Sequence, residues 1–446
     1  MKTPISDFIN KYVESDTVRL HMPGHKGASY LGFEKYDITE IDGADALYQA
    51  SGIIEESEKN ATELFGSGKT VYSCEGSSLS VRAMMYLAKS YHISKGENDT
   101  FYVLASRNAH SSFVSAAALV DFDIKWINSD RDSYFCGKIT ADDVKKCLSC
   151  VDKMPFAVYV TSPDYLGNIS DIKEISKVCK EYGVPLLVDN AHGAYLKFLE
   201  KSEHPIDLGA TMCCDSAHKT LPVLTGGGYL HVSKDAPSFF SENLKTALAL
   251  FGSTSPSYLI LASLDNANKY INDDFSIKLT DFSKKFDDFK KRINAFGYET
   301  VGNEKTKLTI RAKSYGYTGY EFYNELKDRG FVAEMCDPDF VVMMFSPDKL
   351  DTLKTFERVL GQIPKKQPIL DTPPHFFIKE AVLSPRKAYF SPRELVDIES
   401  AENRILAIST ITCPPAVSVI SAGEIITKEA IALCKYYGIE KCYIIK

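Results

Sequence analysis

Short apolar runs alternate with segments of helical periodicity along the first part of the chain. Five runs have the length and the β-branched composition of strands: 70–73, 101–105, 124–127, 156–161 and 185–188. Between the last two, apolar residues recur every three or four positions, which predicts a helix over 171–182 that begins after Ser170 and ends at Gly183. Strand, helix and strand in this order form a βαβ unit, so we predict an α/β fold with a mostly parallel, buried sheet.

The pattern changes near residue 276. Phenylalanines at helical spacing predict a core-facing helix over 282–296, and shorter alternating patterns predict a smaller α+β region. Its predicted strands are 308–311, 331–335 and 340–345, and its predicted helices are 320–329 and 350–360. Four prolines between 364 and 374 indicate a linker. We therefore predict four parts: an N-terminal arm (1–20), a major domain (21–275), a small α+β domain (276–362) and a C-terminal domain (376–446).

Composition and charge exclude several classes of protein. Hydrophobic residues are 44% and charged residues 25%, as in ordinary globular proteins, and the net charge of −7 without a Lys/Arg run disfavours a nucleic-acid partner. No apolar stretch approaches a membrane span, and residues 1–10 lack the pattern of a signal peptide. The 11 cysteines are scattered, which predicts free thiols in a reducing cytoplasm and no metal site.

Two segments place polar residues at the ends of predicted strands. Gly76, Ser77 and Ser78 open a helix, where the N–H groups and the positive end of the helix dipole suit a phosphate. Either serine could instead be a simple helix cap. Asp189 ends a buried parallel strand, the edge at which α/β sheets bind ligands, although an aspartate there also suits a turn.

Two further segments carry a lysine and a histidine. Lys219 stands before the glycine-rich run 225–228 and could bond covalently to a carbonyl group if partly buried, whereas most isolated lysines are surface charges. His110 follows the strand at 101–105. Pyridoxal phosphate needs a phosphate cup, a lysine for its aldehyde, a carboxylate for its ring nitrogen and a flat group over its ring. The chain supplies all four, so we predict this cofactor.

Eight segments between residue 21 and about residue 265 carry family motifs: His21–Gly27, Asp37–Glu40, Glu63–Gly66, Arg107–His110, Thr161–Pro163, Asp189–Gly193, Ser216–Leu221 and Ser253–Tyr258. In this order they resemble the Orn/Lys/Arg decarboxylases, pyridoxal-phosphate enzymes of the aspartate-aminotransferase fold (fold type I). Residues 412–416 and 423–424 show a weaker similarity to the same family. The chain lacks the long N-terminal extension of larger members and resembles the short form.

The resemblance implies roles for individual residues. Lys219 would bond to the cofactor, Asp189 would pair with the pyridinium nitrogen, and His218 or Lys219 would protonate Cα after carbon dioxide leaves. Further cofactor contacts implied by the resemblance are Ser77 and Ser78 beside Gly76 at the phosphate, His110 stacked on the ring, His192 near the ring hydroxyl, Ser216 and His218 beside the cofactor, and Thr254 or Ser255 at a neighbouring subunit's phosphate.

These roles predict a homodimeric or larger cytoplasmic decarboxylase that converts lysine, ornithine or arginine to a diamine or agmatine. An aminotransferase or another lyase of the same fold is the alternative, and Arg404 could then clamp the substrate carboxylate. A non-catalytic relative is a third possibility, against which the intact cofactor residues argue.

The substrate end of the site is where the chain departs from the family. Asn190 replaces the usual acidic residue, and Asp215 replaces the usual glutamine. Gly226–Gly228 and Cys413 are further departures. A cationic substrate needs a carboxylate partner, and Asp164 is the first candidate. The other candidate carboxylates are Glu55, Glu58, Glu75 and Asp215.

Overall fold

The structure is a computed structural model, and it describes residues 1–97, 101–127, 133–375, 380–410 and 414–446. The helices α1 to α15 are Pro4–Val13, Ile53–Phe65, Gly76–Ser94, Ser111–Val120, Ala141–Ser149, Ile172–Glu181, Ala217–Thr220, Ser238–Glu242, Leu244–Phe251, Tyr258–Tyr270, Ser276–Ala295, Gly319–Lys327, Asp351–Leu360, Pro385–Phe390 and Lys428–Tyr436. The strands β1 to β13 are Lys69–Ser73, Tyr102–Ser106, Asp123–Ile127, Ala157–Thr161, Leu186–Asp189, Met212–Asp215, Gly228–Val232, Thr300–Val301, Lys307–Arg311, Met335–Cys336, Phe340–Met344, Arg393–Asp397 and Lys441–Ile445.

A seven-stranded sheet of order β1-β7-β6-β5-β4-β2-β3 dominates the architecture. Strands β5 and β6 are parallel, as are β2 and β3, whereas β7 runs antiparallel to both β1 and β6. Strands β5, β6 and β7 are buried along their whole length, as expected for a sheet covered on both faces. The predicted α/β class with a mostly parallel sheet is therefore confirmed.

The predicted elements of this sheet match the structure within one or two residues. All five predicted runs form strands, β1 to β5. The predicted helix over 171–182 is α6, and Gly183 follows it with a φ of +67°, a conformation that favours glycine. Hydrophobic periodicity was sufficient here because most of these strands are buried along nearly their whole length, the edge strand β3 excepted, and α6 is strongly amphipathic.

Smaller sheets follow, and two predictions for this region are wrong. Strands β8 to β11 form a four-stranded antiparallel sheet, and β12 pairs with β13. Of the predicted strand 331–335, only Met335 lies in a strand, as the first residue of β10 (Met335–Cys336). The predicted core-facing helix over 282–296 is one residue too long, because α11 ends at Ala295, before the left-handed turn at Gly297. Phe296 is therefore 46% exposed, whereas Phe282, Phe286, Phe289 and Ile293 are buried.

The chain divides into two compact units. The first consists of Met1–Thr100, Phe156–Tyr159 and Ile172–Ser276, and the second of Phe101–Pro155, Val160–Asp171 and Ile277–Lys446. The second unit contains a hydrophobic cluster built on Phe282, Phe286 and Phe289. The four-part division predicted from the sequence stays a prediction. Among the described residues, no helix combines the length and apolar character that a membrane crossing requires.

Candidate active site

Lys219 lies in the first unit, immediately after the carboxyl end of β6. Strand β6 ends at Asp215, and the short helix α7 then carries both His218 and Lys219. Lys219 Nζ lies 3.1 Å from Nε2 of His192, a residue that follows the adjacent parallel strand β5. Because the carboxyl ends of parallel strands meet at one edge of a sheet, the chain brings together two side chains that are 27 positions apart.

Asp189, the last residue of β5, has a fixed and almost fully buried carboxylate. Its exposed fraction is 2%. The hydroxyl of Tyr159 on β4 donates a 3.0 Å hydrogen bond to Oδ2, and the backbone N–H of Ala191 donates a 3.2 Å bond to Oδ1. These two donors orient the carboxylate, and Tyr159 is a supporting residue that the sequence analysis did not identify.

The amino end of α3 faces the segment before Lys219. The helix begins at Gly76, whose φ is +64° and whose N–H donates a 2.6 Å hydrogen bond to the Gly226 carbonyl. Ser216 Oγ lies 3.0 Å from Ser77 Oγ and 3.4 Å from the Ser77 nitrogen. A helix amino end with two adjacent hydroxyls suits an anionic group. The structure thus brings together Gly76, Ser77 and Ser216, and Ser78 follows half-buried on the same turn.

The glycine run that departs from the family has a packing role. A side chain at Gly226 would place its Cβ 2.8 Å from the Cys74 carbonyl oxygen, and one at Gly228 would lie 2.8 Å from the Asp215 carbonyl oxygen. Gly226 also has a φ of +99°. Glycine at these two positions therefore permits β7 to approach the strand ends beside the site.

His218 has a lowered pKa. Burial is the largest cause, and the positive charge of Lys219 acts in the same direction. Its Nδ1 lies 2.9 Å from the Gly227 carbonyl oxygen, which accepts a hydrogen bond from it. The pKa shift favours a neutral imidazole that can exchange a proton.

Other residues predicted for the site lie elsewhere on the chain. His110 belongs to the second unit and caps α4, where its Nδ1 accepts a hydrogen bond from the Ser112 N–H. Thr254 and Ser255 lie in an exposed loop of the first unit, next to Ser253, whose N–H donates to Glu75. The roles predicted for these residues stay predictions.

Asp164, the predicted substrate anchor, has partners within its own loop. Its Oδ1 and Oδ2 accept hydrogen bonds of 2.9 and 2.8 Å from the backbone and side-chain nitrogens of Asn168. Burial raises its pKa, and its exposed fraction is 2%. These bonds stabilise a turn in the second unit, and the substrate role stays a prediction.

Glu58 and Arg404, which the sequence analysis also considered, both have charged partners in the structure. Glu58 Oε2 lies 2.7 Å from Lys245 Nζ. The Arg404 guanidinium is half-exposed and bonds to Glu394 and to the Ile445 carbonyl. The weaker family similarity at 412–416 lies partly outside the described residues, because Thr412 and Cys413 are not among them.

The geometry of the first unit fits pyridoxal phosphate. A lysine beside a histidine, a buried and oriented carboxylate, and a hydroxyl-rich helix amino end are the protein groups that this cofactor requires. They lie at or just after the carboxyl ends of the neighbouring parallel strands β5 and β6 and at the amino end of α3.

Comparison with known proteins agrees with this fit. The model of the Orn/Lys/Arg decarboxylase major domain matches residues 3–307, more than half of the chain. The arginine decarboxylase of Halalkalibacterium halodurans is 28% identical over 97% of this chain and 92% of its own length, and that of Bacillus subtilis is 26% identical over the same shares. The lysine decarboxylase of Francisella novicida superimposes with a TM-score of 0.80 at 17% identity, covering 100% of this chain and 81% of that one, and shows the same fold.

The resemblance, the cofactor and the reaction class predicted from the sequence are confirmed. The chain belongs to the Orn/Lys/Arg decarboxylase family and is a pyridoxal-phosphate-dependent decarboxylase of a basic amino acid.

Proposed function

We propose that the chain decarboxylates arginine to agmatine and carbon dioxide, and that Lys219 is the lysine to which the cofactor is attached. The choice of arginine rests on the relatives from Halalkalibacterium and Bacillus, which are named arginine decarboxylases and align with 97% of the chain. The observation that carries the site assignment is the 3.1 Å separation between Lys219 Nζ and His192 Nε2, next to the oriented carboxylate of Asp189.

Asp189 supplies the electrostatic part of the mechanism. When bound, pyridoxal phosphate accepts the electron pair that remains on Cα after the carboxylate leaves. Asp189 would hold a proton on the ring nitrogen, because its carboxylate is kept in one orientation by Tyr159 and Ala191. A preorganised charge of this kind needs no reorganisation during the reaction.

The remaining side chains would bind and orient. Gly76, Ser77 and Ser78 would hold the phosphate at the amino end of α3, with Ser216 beside them. His192 would lie by the ring hydroxyl, and His110 would cover the ring, as the family resemblance implies.

The residues that would deliver a proton to the substrate lie on α7. A proton must replace the carboxylate at Cα, and Lys219 and His218 are consecutive residues at the site. The lowered pKa of His218 keeps it neutral, so that it can relay a proton with Lys219.

The substrate assignment is tested by a comparison of free amino acids. Holoenzyme is supplied with arginine, lysine, ornithine or norleucine, and carbon dioxide and the organic product are both measured. We expect arginine to react fastest and norleucine at least about tenfold more slowly, since one charge-assisted hydrogen bond contributes about 1.5–3 kcal/mol. Lysine or ornithine as the best substrate would overturn the choice of arginine. Release of a keto acid without carbon dioxide would indicate an aminotransferase.

We also propose a cytoplasmic homodimer. The segment Ser253–Ser255 is exposed in the single chain and matches the family segment that reaches a partner's phosphate. Free thiols, in agreement with a reducing compartment, are found at every cysteine among the described residues. Light scattering of the holoenzyme at assay concentration should give the mass of a dimer or a larger assembly, and an active monomer would contradict the shared site.

A further inference from the structure

Four potential metal ligands converge in the interior of the first unit, where the sequence predicted no metal site. They are His204, Cys213, Asp215 and His231, and each has an exposed fraction of 0%. One ligand atom from each lies within 4.8 Å of those from the other three.

Strand pairing brings these four side chains to one place. Cys213 and Asp215 are two positions apart on β6, so their side chains point to the same face of the sheet. His231 on β7 is the antiparallel partner of Cys213 in the strand register. His204 comes from the segment that precedes β6.

Three of the six separations between these ligand atoms lie near the edge lengths of a coordination tetrahedron, and all six are within 4.8 Å. Asp215 Oδ2 lies 3.0 Å from His204 Nε2 and 3.2 Å from His231 Nε2, and Cys213 Sγ lies 4.0 Å from His204 Nε2. Nitrogen and oxygen ligands at zinc–ligand distances of about 2.0–2.1 Å are about 3.3 Å apart in a tetrahedron, and a sulfur ligand lies slightly farther from its neighbours. The ligand set therefore needs only small side-chain adjustments to enclose one ion.

Charge and hydrogen bonding favour a divalent ion here. Once the Cys213 thiol has released its proton to solvent, a thiolate and a carboxylate together neutralise a charge of +2, so the occupied site would carry no net charge. Thr70 Oγ1 lies 2.8 Å from His231 Nδ1, and Asn190 Nδ2 donates a 2.7 Å hydrogen bond to Asp215 Oδ1. Such partners orient ligands from outside the coordination shell.

We propose that His204, Cys213, Asp215 and His231 bind one structural zinc ion. Nitrogen, sulfur and carboxylate ligands in a closed set of four are typical of zinc, and a site without an open position stabilises rather than catalyses. Cys213 and Asp215 on β6 stand just before Ser216 and α7, so the ion would fix the end of β6 that leads to Lys219. The proposal is independent of the substrate and of the reaction.

Metal analysis of the full-length holoenzyme tests this site. The protein is purified without a histidine tag or metal resin, and bound metals are measured by mass spectrometry. We expect about one zinc ion per chain, and X-ray diffraction near the zinc absorption edge should place it between Cys213 Sγ and His231 Nε2. Cys213→Ser and His231→Gln should lower the zinc content at least about tenfold, because each removes a ligand. Cys179→Ser, a change at another buried thiol of the same unit, should leave it unchanged.

The zinc content of the wild-type protein decides the question even if a variant fails to fold. Removal of zinc by a chelator should lower the melting temperature, and added zinc should restore it. A folded holoenzyme that holds no stoichiometric zinc after zinc is supplied would overturn the proposal, and the four residues would then form a hydrogen-bonded Asp–His network. Zinc that persists undiminished in folded Cys213→Ser and His231→Gln would also overturn it.

Discussion

The side-chain amide of Asn190 donates a 2.7 Å hydrogen bond to Asp215 Oδ1. Both residues are among the positions that the sequence analysis identified as departures from the family it resembles. In this chain the two positions therefore meet in one buried contact, between the residue that follows β5 and the last residue of β6.

This contact predicts the effect of restoring an acidic residue at one position alone. Asn190→Asp would place a second carboxylate against Asp215, where both residues have an exposed fraction of 0%. We expect the free energy of unfolding to fall by about 3–5 kcal/mol, the cost of an uncompensated buried charge. Urea denaturation measures this loss. The same substitution at exposed Asn294 should change stability by less than about 0.5 kcal/mol, and equal effects at the two positions would contradict the account.

Asp189 should control the rate rather than the fold. Asp189→Asn keeps the shape of the side chain but removes its charge, so carbon dioxide release should fall by a factor of at least about 10² with little change in melting temperature. Tyr159→Phe removes only one of the hydrogen bonds that orient Asp189 and should cost about tenfold or less. A fully active Asp189→Asn holoenzyme would exclude the proposed role.

A buried ion pair should stabilise the second unit. Arg107 Nη2 lies 2.9 Å from Glu424 Oε2, and their side chains are 1% and 3% exposed. Glu424→Gln leaves the guanidinium without a counter-charge and should lower the free energy of unfolding by about 3–5 kcal/mol. Glu394→Gln, which breaks the half-exposed pair with Arg404, should cost less than about 1 kcal/mol in the same denaturation experiment. Similar losses would mean that burial does not set the strength of these pairs.

Asp265 should make stability depend on pH. Burial raises its pKa from 3.8 to about 6, although it accepts hydrogen bonds from the Ile5 and Ser6 N–H groups. The folded chain therefore retains a proton that the unfolded chain releases. This contribution is complete below pH 3.8 and is lost as the pH rises through about 6.

The variant Asp265→Asn, which has no titrating group at this position, isolates that contribution. Between about pH 5 and pH 7, the free energy of unfolding of the wild type should fall by about 1 kcal/mol relative to Asp265→Asn. Groups other than Asp265 titrate equally in both proteins and cancel in the difference. Parallel stability curves would show that Asp265 has an ordinary pKa in the fold.

Local patterns were sufficient for the central strands and for placing two candidate site residues at one edge of the sheet. Asp189 ends the buried strand β5, Lys219 follows the buried strand β6, and parallel neighbours bring such positions to one edge. Tyr159 could not be found in this way, because its contact with Asp189 depends on which strand lies beside β5. The cluster at His204 and His231 likewise depends on the register between β6 and β7.

Long-range and loop contacts also escaped the sequence analysis. Arg107 and Glu424 are 317 positions apart, and no local periodicity connects them. The motif similarity identified both segments but not their contact. Asp164 was chosen for its place after a strand, whereas its bonds to Asn168 depend on the conformation of the loop.

The most direct test of the account identifies the lysine that carries the cofactor. Borohydride reduction of the holoenzyme makes the bond between the cofactor and its lysine permanent, and peptide mapping then locates the modified residue. We predict a single modified peptide that contains Lys219, and no modification in Lys219→Ala treated in parallel. Modification of any other lysine in the wild-type holoenzyme would contradict the assignment of Lys219.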